Sequence, residues 1–362
     1  MTGGDIYTIA GNGLVSFSGD RGPALRAQFG VDPEIGLPVA VDRTGNLLVS
    51  DRANLRVRLV AARSGVLFGR RMLAGYVYTL AYCAKIACLP GLAAFDRAGN
   101  AVVATNVRIE VIAARSGTYY GQAMKAGSTY VIAGGGTADA NGVPDTKAAL
   151  QLSEGLAVDG HGNVLTDCGP LRGDGPYHVR VIAASSGTFY GQAMRAGYVY
   201  ALAPAGVVDA VDGHGNVLID GDDKVRVIAG RDGTFYGRPM TAGNVYTIAG
   251  TGAYGYSGDG GPATAADIVN TDEAVDAAGN LLIVDGYGPP RIRVVAAATG
   301  TFYGHPMTKG DIYTIAGGGT SLANGAPPLS AMFSFGDWRA AAPDVGIVVP
   351  DLGGQRIRLI SR

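Results

Sequence analysis

Apolar residues fall along the chain in short runs rich in Val, Ile, Leu and Tyr, each bounded by glycine-bearing turns. In one stretch "GLAVD" ends at Asp159, "GHG" turns the chain, and "NVLTD" follows from Asn163. "VRVIAA" then starts at Val179 and "YVYALA" at Tyr198. Runs of this length and composition between turn residues predict four short strands. The first two strands are joined in successive units by "DRTGN", "DRAGN", "DGHGN", "DGHGN" and "DAAGN". Asp and Gly-Asn at these places supply the positive φ that a tight hairpin needs.

Between the third and fourth strands lies a second repeated element. It reads "SGVLFGRRMLAG" from Ser64, "SGTYYGQAMKAG" from Ser116, "SGTFYGQAMRAG" from Ser186, "DGTFYGRPMTAG" from Asp232 and "TGTFYGHPMTKG" from Thr299. The copies are 52, 70, 46 and 67 residues apart, so a constant core is interrupted by a loop of variable length. A residue present in every copy serves the unit, and the methionine and aromatics are assigned to packing between units. First strands ending at Asp42, Asp96, Asp159, Asp212, Asp276 and Asp344 count six units. The last lacks a fourth strand, while the chain begins with an orphan one, "DIYTIAG" from Asp5. Pairing the two closes a ring with no free edge. The expectation is an all-β, six-bladed β-propeller of four-stranded antiparallel blades, residues 1–362 forming a single domain.

Composition agrees. Hydrophobic residues make up 47% and charged residues 16%, with 58 glycines, as a packed and turn-rich chain requires. The formal net charge is −1 and Lys and Arg are spread along the chain, which argues against nucleic acid as a partner. No apolar run reaches the roughly 18–20 residues of a membrane span, and no signal peptide precedes the first strand. A cytoplasmic protein without a membrane partner is expected.

The residues "GLAVDGHGNVLTD", the N-x-R-[IV]-R pattern in "NLRVRLV" (Asn54–Val60) and "YSGDGGPATAA" (Tyr256–Ala266) resemble those of the NHL-repeat propellers. The likeness runs over nearly the whole chain. It implies a scaffold shared by peptide-amidating lyases and protein-interaction modules, with strictosidine-synthase-like and lactonase enzymes as six-bladed relatives. It also implies that the loops from fourth to first strands, and from second to third, form the ligand face. The His-rich zinc site of the amidating lyases has no match in this sequence.

With every blade in register, departures become visible. Three residues before the strand-ending Asp, the units carry Val39, Ala93, Leu156, Asp209, Glu273 and Ala341. Two carboxylates thus replace apolar residues in neighbouring blades, where burial of a charge costs several kcal/mol unless it is paired or solvated. Glu154 and Asp272 lie one or two residues nearer the rim, and Asp337, Trp338 and Arg339 flank the last inner strand. His178 stands where the other third strands begin with Arg56, Arg108, Lys224, Arg291 and Arg356, and an imidazole can exchange a proton near neutral pH. Loops before units 1, 3, 5 and 6 are long, whereas unit 4 follows almost directly, leaving a notch above Asp209. The stretched "CGPLRGDGPYH" loop from Cys168 brings Arg172 and Tyr177 to its flank.

These features predict a small-molecule enzyme of the lyase, isomerase, cyclase or hydrolase type, with a biosynthetic tailoring role and no organic cofactor. Asp209 and Glu273 would be its acid and base and His178 an auxiliary proton donor. Arg339, Trp338, Tyr177, Glu154 and Asp272 would bind substrate. Three alternatives stay open: a divalent cation held in the channel as in lactonase-like hydrolases, a water-filled channel lined with carboxylates, and a non-catalytic propeller binding a ligand or protein on the loop-rich face. No metal ligands are assigned. Asp20 and Asp259 are expected to cap short helical turns. His161, His214 and His305 fall on the face away from the ligand loops. Cys83 and Cys88 could pair or join Cys168 at a metal, although four ligands cannot be assembled.

Overall fold

The computed structural model describes residues 4–32, 36–82, 91–139, 141–168, 178–204, 206–286, 288–333 and 346–361. Six antiparallel blades surround a central axis, and helix is confined to three-residue 3-10 turns among the described residues. The inner strands are Val39–Val41, Ala93–Phe95, Leu152–Val158, Val207–Val211 and Asn270–Val275 for blades 1 to 5. The sixth inner strand, with Ala341 and Asp344, lies outside the described residues. The N-terminal strand Ile6–Ala10 completes blade 6 by pairing with Arg356–Ser361, Ile6 opposite Ile360.

Each D-x-x-G-N turn ties three strands together. In blade 3, Asp159 Oδ1 accepts the His161 and Asn163 amides at 2.8 and 2.9 Å, and Oδ2 accepts the Asn163 side-chain amide at 2.8 Å. Asn163 Oδ1 in turn accepts the Ala184 amide beyond the third strand at 2.9 Å. Gly162 sits at φ 85°, the conformation that makes glycine the residue of choice there. In the repeated hairpin, aromatic and glycine both take positive φ, as a type I′ turn demands: Tyr190 at 51° and Gly191 at 73°. Its methionine is buried between blades. Met72 packs with Ala101 and Val103 of blade 2, and Met307 with Ile347 and Val349 of blade 6. The Tyr190 hydroxyl donates to Asp159 Oδ2 at 3.0 Å, and burial, then the Asp159 charge, pushes its pKa well above the ordinary value. The repeated motif is thus a clasp between blades.

The long loops cross the top of the ring as crowns. The one before blade 1 adds Gly22–Pro23 to the outer strand Tyr76–Tyr82, and a side chain fixes it there: Asp20 Oδ1 accepts the Thr79 amide at 2.5 Å. Asn141, Asp259 and Asn324 do the same for Ala201, Thr314 and Thr8 at 2.8, 3.1 and 2.9 Å. Asp20 and Asp259 therefore do not cap helical turns. Those turns start at Pro23 and Pro262 with no side-chain cap, and the carboxylates are spent on the neighbouring strand.

Candidate functional site

The second arginine of the R-[IV]-R pattern pins the crowns. Arg58 donates to the Ser18 and Gln28 carbonyls at 2.8 Å each and to Asp51 at 3.3 Å. Arg293 reaches the Ser257 and Asp267 carbonyls, Asp259 at 2.7 Å and Asp285 at 3.1 Å, and Arg358 pairs with Asp351 at 3.4 Å. All three guanidinium groups are buried. Burial lowers the Arg58 pKa and raises that of Asp51, so each ion depends on the other and on the loop carbonyls. In blade 3, Arg180 holds Asp139 of its crown at 2.7 Å.

Blades 3 and 4 differ below the crowns. Where blades 1, 5 and 6 end their second strands in Asp51, Asp285 and Asp351, these blades have Cys168 and Gly221. A carboxylate instead appears one residue earlier, Asp167 and Asp220, where the other blades carry Ser50, Ala104, Val284 and Pro350. Side chains alternate along a strand. Asp167 therefore shares the sheet face of Leu165, which packs against Val208, Val217 and Ile219 of blade 4. Asp220 shares the face of Leu218, which packs against Leu281 and Ile283 of blade 5. Asp167 is fully buried, and a Cβ on Gly155 would collide with its Oδ1 and with the Val208 amide, so glycine there keeps this seam closed. Asp220 Oδ1 accepts the Val207 amide at 3.2 Å.

The inner strands of blades 4 and 5 are neighbours around the axis, which places Asp209 beside the strand of Asp272 and Glu273. The two predicted carboxylates are not equivalent in register. Glu273 pairs with Ile283, but the matching Ile219 of blade 4 pairs with Val208, and the register shifts before Ala210. Asp209 is thus the extra residue of a β-bulge, a device that re-aims a side chain. Glu273 and Asp272 are 2% and 1% exposed, while Asp209 is half-buried. The connection into this strand is short: only residues 205 and 206 separate the outer strand ending at Pro204 from the inner strand beginning at Val207.

His178 opens the third strand of blade 3, paired with Cys168 and Pro204, two strand spacings or about 10 Å from its inner strand. It is not brought against Asp209 by that position. Cys168 beside it is buried among Leu92, Ala104 and Val199, and desolvation, reinforced by Asp167, pushes its thiol up to about 12, opposite to what a nucleophile needs. His161 and His214 are exposed on the clasp face against Phe189 and Phe235, with His305 half-buried there. Arg172, Tyr177, Asp337, Trp338, Arg339, Cys83 and Cys88 lie outside the described residues, as does the Glu154 side chain. Among the described residues no three His, Cys, Asp or Glu side chains form a set that could hold a metal ion.

No protein-family model matches the chain, and no curated protein matches it in sequence. Solved structures do match in shape. A protein of unknown function from Bacteroides thetaiotaomicron is 15% identical with a TM-score of 0.59, over 99% of this chain and 75% of that one. A putative gluconolactonase is 12% identical with a TM-score of 0.50, over 100% and 93%. A gluconolactonase from Xanthomonas campestris is 12% identical at 0.50, over 91% and 86%. At such identities the likeness is one of fold, and the fold is the six-bladed propeller.

Proposed function

We propose that this propeller is an enzyme that moves protons on a small molecule bound at the mouth of its central channel, above blades 3, 4 and 5. The observation that carries the reading is the β-bulge at Asp209, on the strand that follows the shortest connection of the ring and beside the strand bearing Asp272 and Glu273. Carboxylates held close together push their pKa values apart, leaving one as acid and one as base. Asp209, the more exposed, is assigned as the base and the buried Glu273 as the acid. Asp167, Asp220 and Asp272 lie on the same and adjoining strands of blades 3, 4 and 5. His178, two strands out, is left out of the scheme. Trp338, Arg339 and Tyr177 are assigned to substrate binding from the sequence alone.

The repeat residues support an NHL-type assignment, and the two gluconolactonase-named neighbours make lactones the first substrate class to test. In that reaction the base takes a proton from water as its oxygen attacks the carbonyl, and the acid protonates the departing ring oxygen. Turnover of a panel of lactones and esters, followed from about pH 5 to 9, tests the reading. Asp209→Asn and Glu273→Gln should each lower kcat by about 10²–10⁴ and remove one limb of the pH profile. Unchanged turnover in both variants would sink it, and so would a ligand that binds at the mouth and is never converted.

A further inference from the structure

The face opposite the proposed site, built from the D-x-x-G-N turns and the hairpin clasps, carries its own chemistry. On blades 1 and 2 it exposes Arg43, Arg63, Arg71, Arg97, Arg115 and Lys125. Residues 61–76 and 113–128, which form the two clasps, contain no acid. The only carboxylates of the two turns are Asp42 and Asp96, each accepting bonds from amides of its own turn. The two clasps form one continuous surface, because the Phe68 amide donates to the Ala114 carbonyl at 3.0 Å.

Blade 1 adds something its sisters lack. In its hairpin Val66 pairs with Arg71, so Val66, Arg71 and the following Leu73 share the outward side. Val66 is 67% and Leu73 53% exposed. The other four clasps place Thr118, Thr188, Thr234 and Thr301 in the Val66 slot and Lys125, Arg195, Thr241 and Thr308 in the Leu73 slot. Two aliphatic side chains have thus replaced polar ones at an exposed point of a cationic face.

We propose that this face docks on an anionic phospholipid surface, with Val66 and Leu73 entering the headgroup layer and the six cations held over acidic headgroups. No helix of the described residues is long and apolar enough to span a bilayer, and this mode needs none. It requires only apolar side chains at the contact point and basic residues around them. A nucleic acid would use the cations but gain nothing from the aliphatic pair. Docked this way, the proposed site faces the aqueous phase, and the inference stands whether or not that site is catalytic.

The test is sedimentation of the full chain with vesicles of phosphatidylcholine alone or with about three parts in ten phosphatidylglycerol. Binding to the acidic vesicles only, weakening as salt rises, is expected. Arg71→Glu with Arg115→Glu should lower partitioning by more than tenfold, about fivefold for each charge lost. Val66→Thr with Leu73→Thr, residues the sister clasps already carry, should lower it several-fold while leaving the circular dichroism unchanged. No binding by the wild-type chain overturns the proposal. So does a Val66→Thr/Leu73→Thr variant that keeps full vesicle binding, or a chain that binds duplex DNA in preference to the acidic vesicles.

Discussion

Blades 1, 5 and 6 and blades 3 and 4 place a carboxylate near the same end of the second strand, one residue apart, and the two placements have different consequences. In the first group Asp51, Asp285 and Asp351 lie beneath a crown, each joined to a buried arginine. In the second, Asp167 and Asp220 sit one step earlier and take the other sheet face, the one packed against the next blade, because successive side chains point to opposite faces. A single-residue displacement separates a carboxylate that anchors a loop from one that borders the proposed site. The arginines follow the same division. Arg293 is fully buried, whereas Arg226 of blade 4 meets an Asp222 that is 85% exposed.

The strongest way to break this comparison is to remove the arginines. Arg293→Met leaves Asp285 and the loop carbonyls in a buried setting without their cation and should cost about 3–5 kcal/mol. Arg226→Met, at a surface pair, should cost about 0–1 kcal/mol. Urea denaturation of the two variants reads the difference, and equal losses would erase the distinction between the groups. Next comes the seam that admits Asp167. Gly155→Ala should cost about 1–3 kcal/mol through overpacking, whereas Gly160→Ala, with nothing within 4 Å of the added carbon, should change stability by less than about 0.5 kcal/mol.

A smaller effect is expected at Asp259. Burial raises its pKa, but hydrogen bonding by the Thr314 side chain, the Arg293 charge and the Tyr256 hydroxyl outweigh it, so the carboxyl lies below its ordinary value of 3.8. A depressed carboxyl stabilises the fold above its unfolded pKa, and that stability is lost as pH falls through the folded value. Asp259→Asn should therefore cost less than about 1 kcal/mol at pH 7. The gap to the wild-type chain should close in acid; a gap that widens there contradicts the assigned sign. The smallest effect is none. With its thiol pushed up to about 12, Cys168 should resist iodoacetamide at pH 8 in the native chain and react once it is unfolded. Mass spectrometry of its peptide distinguishes the two, and rapid native labelling would contradict the raised thiol.

The ring itself was legible from the chain because blade construction is local and repeated. The D-x-x-G-N turns, the clasp and the orphan strand at Asp5 each carry their geometry in a few adjacent residues. Asp209, Asp272 and Glu273 were legible as departures from the repeat. The bulge at Asp209 was not, since it depends on which residue of a partner strand answers Ile219, and counting from Asp212 assumes an unbroken register. Asp167 and Asp220 could have been found by the same count applied to the second strand, where Ser50, Ala104, Val284 and Pro350 are their counterparts. The helix-cap reading of Asp20 and Asp259 failed for a physical reason. A carboxylate four residues before a short turn can satisfy an amide on another strand as readily as one in its own loop.

The pairing of Ile6 with Ile360 has a consequence for how this molecule comes into being. During translation the first strand emerges hundreds of residues before its partner, and its apolar side must wait while blades 1 to 5 assemble by local contacts. Ring closure is then the longest-range step of folding, with a loop-closure entropy that grows only slowly with the length of the intervening chain. Until it occurs, Arg356–Ser361 presents an open edge to any other nascent chain nearby. A permuted chain that begins at residue 206 would carry the Ile6 and Ile360 strands on one continuous segment, trading the slowest step for an early one.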